Sequence, residues 1–225
     1  MSSENICPAG QNRCTLLEDI AALRDRCREL EELSYQDALT GLYNFRHLQR
    51  SLEMEMARTR RSLLPTSLVM LDLDHFRNVN TSYGHEAGNV ALARIGKICR
   101  EGIRIIDIPC RYGGEEFALI LPSTSLVQAS HTAERLRQEI AAASLVLNGQ
   151  QVTVTASFGV AVFRHPDNYT VSEFLKKADG FLYQAKVSGR NRVCAEELAP
   201  APASEVTVEE RDGLFAPIEP EERDE

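Results

Sequence analysis

The chain has 225 residues, 43% hydrophobic and 26% charged, which suits one sizeable core with appendages; no apolar run approaches the roughly 18 residues a membrane-spanning helix needs. Its net charge of −8 belongs to one end, because residues 196–225 carry eleven Asp or Glu against two Arg, a local −9, and residues 1–195 stand at +1. Neither part offers a basic surface for nucleic acid. The N-terminal MSSENICPAGQNRC lacks the basic and apolar regions of a secretory signal, and the six cysteines form no C-x-x-C pair, so a cytoplasmic protein with reduced thiols is expected.

Leu16, Ile20, Leu23, Cys27 and Leu30 repeat at spacings of four and three among charged neighbours. This narrow stripe predicts a helix over residues 1–35 that pairs in parallel with a second copy as a short coiled coil; the alternative is an amphipathic helix packed on its own domain. DALTGLYN (37–44) reads as a loop in which Asn44 caps the helix FRHLQRSLEMEMARTRR, closed by Pro65. TSLVMLDLD (66–74) reads as a buried strand carrying Asp72 and Asp74 at its end.

HEAGNVALARIGKICREGI (85–103) has helical periodicity at Val90, Leu92, Ile95, Ile98 and Cys99. IPCRY and FALIL read as the arms of a hairpin, residues 126–143 as a helix, 152–163 as one long strand, 171–189 as a helix ending in glycine, and RNRVC as a short last strand. A mixed sheet surrounded by helices, an α/β (α+β) class, follows from that order for residues 36–195. Residues 196–225 are acidic and Pro-rich, with too little apolar content to fold.

The hairpin tip RYGGEEF (111–117) holds two glycines and two adjacent carboxylates. Glycines there suit positive φ or close approach by a ligand. If this hairpin neighbours the 66–74 strand, Asp72 comes beside Glu115 or Glu116, and hard oxygen ligands of that kind suit Mg²⁺, bound through one or two carboxylates plus substrate phosphates. Arg77, Lys186 and Arg190 are cations placed to hold a triphosphate, or else ordinary solvated charges.

The segments DALTGLYN, LDLDHFRNVNTSYGHEAGN, RIIDIPCRYGGEEF, TASFGVAVF and YQAKVSGRNRV resemble, in order and spacing, the GGDEF family of diguanylate cyclases, here in a GGEEF form. The resemblance implies a nucleotide-cyclase, palm-like fold and condensation of two GTP into cyclic di-GMP with release of two pyrophosphates across a homodimer. It implies that Asp72, Glu115 and the Leu73 carbonyl hold Mg²⁺ (or Mn²⁺), with Glu116 helping with the metal or with activating the 3′-hydroxyl. Gly113 and Gly114 admit the nucleotide, Arg77, Lys186 and Arg190 contact phosphates, and Asn80 and Asn89 face guanine. It further implies an inhibitory product site at RIID (104–107), through Arg104 and Asp107, with Arg135 and Arg58 as secondary contacts.

Two positions depart from the family pattern, where Thr81 and Asn89 replace aspartates. An aspartate facing guanine accepts from N1–H and N2–H₂, whereas an asparagine offers one acceptor and one donor, a pair that matches adenine. Three readings follow: a conventional cyclase, a relaxed-purine cyclase that admits ATP and makes cyclic AMP–GMP, and a catalytically silent cyclic di-GMP receptor. The retained Asp72, Glu115, Glu116 and Lys186 favour catalysis.

Overall fold

The structure, a computed structural model, describes residues 19–20, 22–26, 35–147 and 149–196. Among the described residues, seven strands and five helices follow Asn44: α1 (Phe45–Ser62), β1 (Thr66–Leu73), α2 (Phe76–Tyr83), α3 (His85–Glu101), β2 (Ile108–Gly113), β3 (Glu116–Leu121), α4 (Leu126–Ala142), β4 (Ser144–Leu147), β5 (Gln150–Thr153), β6 (Ala156–Phe163), α5 (Val171–Val187) and β7 (Val193–Ala195). The central sheet runs β2-β3-β1-β6-β7. Only the β6–β7 pair is parallel, so the sheet is mixed, as the order of elements implied.

β1 is buried along its whole length, and alternation along it feeds two cores. Val69, Leu71 and Leu73 face α3 and α4 through Leu92, Ile95, Ala133 and Leu136. Leu68 and Met70 face α1 and α5 through Leu48, Leu52, Phe174 and Leu182. Both strand faces are therefore dry, which explains why this segment reads as a continuous apolar run. At about 25 cal/mol per Å², each fully buried Leu or Phe contributes roughly 1.5–3 kcal/mol.

Local chemistry sets the helix starts. Asn44 Oδ1 accepts from the His47 amide at 3.1 Å, and Ser125 with Gln128 and Thr170 with Glu173 form reciprocal capping boxes. α5 lies hard against β6 at Gly159, where a Cβ would come within 2.2 Å of the Leu182 backbone nitrogen. Only glycine permits that approach, and it brings the last turn of α5, with Lys186, over the end of β1.

The structure departs from the sequence pattern at three places. FRNVNTSY, to which the sequence pattern assigns no element, is the helix α2, pinned by buried Phe76 and Val79. The stretch 152–163 is not one strand: β5 ends at Thr153 and pairs with β4 in a separate two-stranded sheet, and β6 starts at Ala156. The break frees Thr155, whose carbonyl accepts from the Asp74 amide at 2.8 Å and whose hydroxyl donates to the Asp74 carboxylate. Val90 is 55% exposed and takes no part in the core.

Of the expected coiled-coil seam, Ile20 and Leu23 lie in helix, with Leu23 exposed; Leu16, Cys27 and Leu30 lie outside the described residues, as do residues 197–225. No helix among the described residues is long and apolar enough to cross a membrane.

Candidate functional site

The β1–β3 register sets Asp72 directly opposite Glu116. Two carboxylates on neighbouring strands repel, and burial adds to the cost of charging them. Burial, first, and then Asp74 and Glu115 as like charges push the Asp72 carboxyl above its ordinary range against the pull of Lys186. Burial and then the Asp72 charge raise Glu116 likewise. Lys186 Nζ lies 3.0 Å from Asp72 Oδ2 and is the cation that offsets this crowding.

Glu115 belongs to the tip between β2 and β3, where its carbonyl accepts from the Leu73 amide at 3.4 Å. Gly114 has φ +53°, and a Cβ on either Gly113 or Gly114 would meet nothing within 4 Å. The tip is thus bare on its outer side, and at Gly114 the backbone itself demands glycine.

Beside the tip is a cavity of about 430 Å³ lined by Arg77, Asn80, Thr81, His85 and Glu115. α2 and the start of α3 form its wall. A Cβ at Gly88 would fall 2.0 Å from Asn80 Oδ1, so the missing side chain lets the Asn80 amide keep its place. Asn89 lies next to Gly88 at the start of the second turn of α3, exposed and outside the lining of that cavity. Arg190 is exposed on the loop after α5, with φ +61°.

Asp74, paired with Asp72 in the strand reading, has another occupation. It accepts from Ser157 Oγ (2.7 Å), Thr155 Oγ1 (2.7 Å) and the Asn191 amide (3.0 Å), which engages both carboxylate oxygens. Arg111, which the sequence reading passed over, binds the tip: its Nη2 and Nε donate to the Gly114 carbonyl at 2.7 and 3.0 Å, and its Nη1 lies 3.0 Å from Asp37 Oδ2. The signal was present, as an arginine two residues before the glycine pair.

At RIID, the Arg104 amide donates to Asp107 Oδ2 at 2.8 Å while the Asp107 amide returns to the Arg104 carbonyl. Asp107 is buried, its carboxyl is raised chiefly by that burial, and its Oδ1 has no hydrogen-bond partner. A cavity of about 290 Å³ there is lined by Arg104, Asp107, Thr124, Thr132 and Arg135, among others. Arg135 Nη2 donates to the Gly102 carbonyl and Nη1 to Glu139. Arg58 is absent from that lining and pairs with Glu55 on α1.

Among the described residues, no three His, Cys, Asp or Glu side chains converge into a metal cage. The donor set nevertheless fits Mg²⁺ that shares its coordination with phosphates: hard carboxylate oxygens, crowded and short of positive charge. The thiols do not belong to it. Cys99 and Cys110 are buried and pushed up to about 12 by that burial, so they pack as small apolar groups.

The mixed α/β domain thus sets facing carboxylates and cations at one end of its sheet, beside a cavity lined by Arg77, Asn80, Thr81, His85 and Glu115. The family model described as "Diguanylate cyclase, GGDEF domain" matches residues 34–192, and the chain belongs to that family. It is 38% identical over 173 residues to the response regulator PleD of Caulobacter vibrioides, covering 76% of this chain and 38% of PleD's length.

Among solved structures, it is similar to the diguanylate cyclase SiaD of Pseudomonas aeruginosa in complex with its activator SiaC (TM-score 0.69, 35% identity, 81% of this chain and 72% of that one). It is similar also to the GGDEF domain of DgcB from Caulobacter crescentus in complex with c-di-GMP (TM-score 0.69, 30% identity, 72% and 95%).

Proposed function

We propose that the chain is a diguanylate cyclase that condenses two GTP into cyclic di-GMP and two pyrophosphates. The observation that carries this reading is the facing pair Asp72 and Glu116, with Lys186 3.0 Å from Asp72, beside the cavity of Asn80 and Arg77. Asn80 holds the purine edge, and Lys186, Arg77 and Arg190 take the phosphates. Asp72, Glu115 and the Leu73 carbonyl would hold Mg²⁺ or Mn²⁺, which supplies charge neutralisation at the phosphates. Glu116 accepts the proton of the attacking 3′-hydroxyl, a role that its raised pKa suits.

The cavity of about 430 Å³ has room for a purine nucleoside, and the bare glycine tip leaves the hydroxyl side open to a second nucleotide. Two copies facing each other complete the reaction, and an N-terminal helix that pairs them raises their effective concentration. RIID serves as the product-binding brake, since Arg104, Asp107 and Arg135 line the cavity of about 290 Å³ that product would enter.

The test is incubation of purified chain and Mg²⁺ with GTP, with ATP and with an equal mixture, followed by mass spectrometry. Cyclic di-GMP from GTP is expected; a folded dimer that makes no cyclic dinucleotide yet binds cyclic di-GMP would replace this reading with a receptor.

A further inference from the structure

The loop after α5 takes a costly shape. Arg190 and Asn191 are consecutive non-glycine residues with φ +61° and +44°, a conformation that ordinary side chains rarely adopt. Something must hold it. The Arg190 amide donates to the Ala185 carbonyl at 3.0 Å, which closes the helix end. The Asn191 amide donates to Asp74 Oδ2 at 3.0 Å, and the Asn191 side-chain oxygen accepts from Arg137 Nη1 at 2.7 Å.

Asp74 is well suited to be the anchor. It is 6% exposed, and both its oxygens are engaged by donors from β6 and the residue before it, Ser157 and Thr155. Its own amide is fixed to the Thr155 carbonyl. Two carboxylates two residues apart, Asp72 near the end of β1 and Asp74 just past it, therefore reach the same segment: Asp72 meets the Lys186 side chain, and Asp74 meets the backbone of the Arg190–Asn191 step.

We propose that Asp74 is a positioning residue for the nucleotide phosphates, acting through the Asn191 amide to hold the left-handed Arg190–Asn191 step and thereby the guanidinium of Arg190. This rests on the cyclase reading, in which Arg190 meets phosphate. What Asp74 must supply is an acceptor at the Oδ2 position. Its other two donors are hydroxyls, which can turn round and accept, whereas the backbone amide cannot.

That asymmetry sets the test, made on the full chain with GTP and Mg²⁺. Asp74→Asn can keep its carbonyl toward the Asn191 amide and give its NH₂ to Ser157 Oγ, so KM for GTP is expected within about threefold of the parent. Asp74→Ala leaves the amide unmet and is expected to raise KM about tenfold or more, with a smaller change in kcat. In an Arg190→Ala background the same substitution should raise KM less than about twofold, because its route to phosphate is already gone.

An equal KM penalty in both backgrounds, or none from Asp74→Ala, overturns the proposal. Should Asp74→Ala not fold, amide exchange of the parent decides: the Asn191 amide is expected to exchange at least about tenfold more slowly than an unbonded loop amide, and equal rates overturn the proposal. A parent chain with no cyclase activity but a protected Asn191 amide fails the cyclase reading instead.

Discussion

Arg111 ties Asp37 to the carbonyl of Gly114, so one guanidinium spans from the loop before α1 to the carboxylate-bearing tip. The same loop is knit to β2 by backbone: the Tyr43 amide donates to the Pro109 carbonyl and the Arg111 amide to the Tyr43 carbonyl. A planar fork makes two parallel bonds to one carbonyl while meeting a carboxylate on its other side; an ammonium cannot. Arg111→Lys is therefore expected to lower kcat ten- to a hundredfold through a misplaced tip, with a small loss of thermal stability, measured by steady-state kinetics beside a melting curve. Unchanged kcat would remove Arg111 from the positioning of Glu115 and Glu116.

Asp37 supplies the other end of that link. Burial raises its carboxyl, but the Thr40 hydroxyl and amide together with Arg111 outweigh burial and hold it below the ordinary range. A carboxyl lowered on folding contributes stability above its unfolded pKa and loses it as pH falls through the lowered value. Asp37→Asn should thus destabilise the chain at pH 7, by about 1 kcal/mol for a partly buried pair, and the deficit should close as pH falls from about 4 downward. Melting curves of both chains across that range check it.

Glu116 has the opposite sign. Its carboxyl is raised on folding, chiefly by burial and then by Asp72, so its charge costs stability at every pH above the raised value. Glu116→Gln is expected to abolish cyclic di-GMP formation and to raise the melting temperature of the nucleotide-free chain by about 1–2 °C at pH 7.5. As pH falls from the raised folded value to the ordinary carboxylate value, the parent protonates and that advantage disappears. A variant less stable than the parent at pH 7.5 would mean that Glu116 is held by attraction that outweighs its repulsion by Asp72.

Long, strongly patterned segments were legible in the sequence. TSLVMLDLD reads as buried because both faces of β1 are covered, and the GGEE tip reads as a reversal because Gly114 needs positive φ. α2 was not legible: FRNVNTSY is short and rich in Asn, Ser, Thr and Val, so its helicity comes from packing of Phe76 and Val79 rather than from propensity. The break at Val154–Thr155 was hidden because the stretch stays β-branched and apolar throughout; what interrupts it is the bonding of Thr155 to Asp74, 81 residues away in the chain. At the site, charge and spacing marked Asp72, Glu115 and Glu116. The division of labour between Asp72 and Asp74 depends on long-range partners, which a two-residue spacing does not carry.

RIID is expected to act on regulation alone. Arg104 lines the 290 Å³ cavity and bonds to Asp107 through its backbone amide, so truncating its side chain leaves the turn's main-chain closure in place. Arg104→Ala should weaken inhibition by added cyclic di-GMP at least tenfold, as expected for loss of a charge-assisted contact, with initial rates in the absence of product unchanged. A parallel loss of initial rate would show that the turn is coupled to catalysis rather than separate from it.

On the cyclase reading, Asn89 is expected to set how strictly guanine is read. It sits exposed at the start of the second turn of α3, next to the Gly88 that accommodates the Asn80 amide, and the cavity beside the tip is lined by Asn80 but not by Asn89. With one acceptor where guanine presents two donors, an Asn89 that faces guanine would leave about 1–3 kcal/mol unmet, equivalent to roughly a ten- to hundredfold weaker GTP complex. Asn89→Asp should recover that factor in KM for GTP and, from an equal GTP and ATP mixture, suppress any cyclic AMP–GMP relative to cyclic di-GMP. The same carboxylate would face adenine N1, an acceptor, so the discrimination grows from both sides. If the KM for GTP and the product ratio are both unchanged in Asn89→Asp, purine choice rests on Asn80 and the backbone instead.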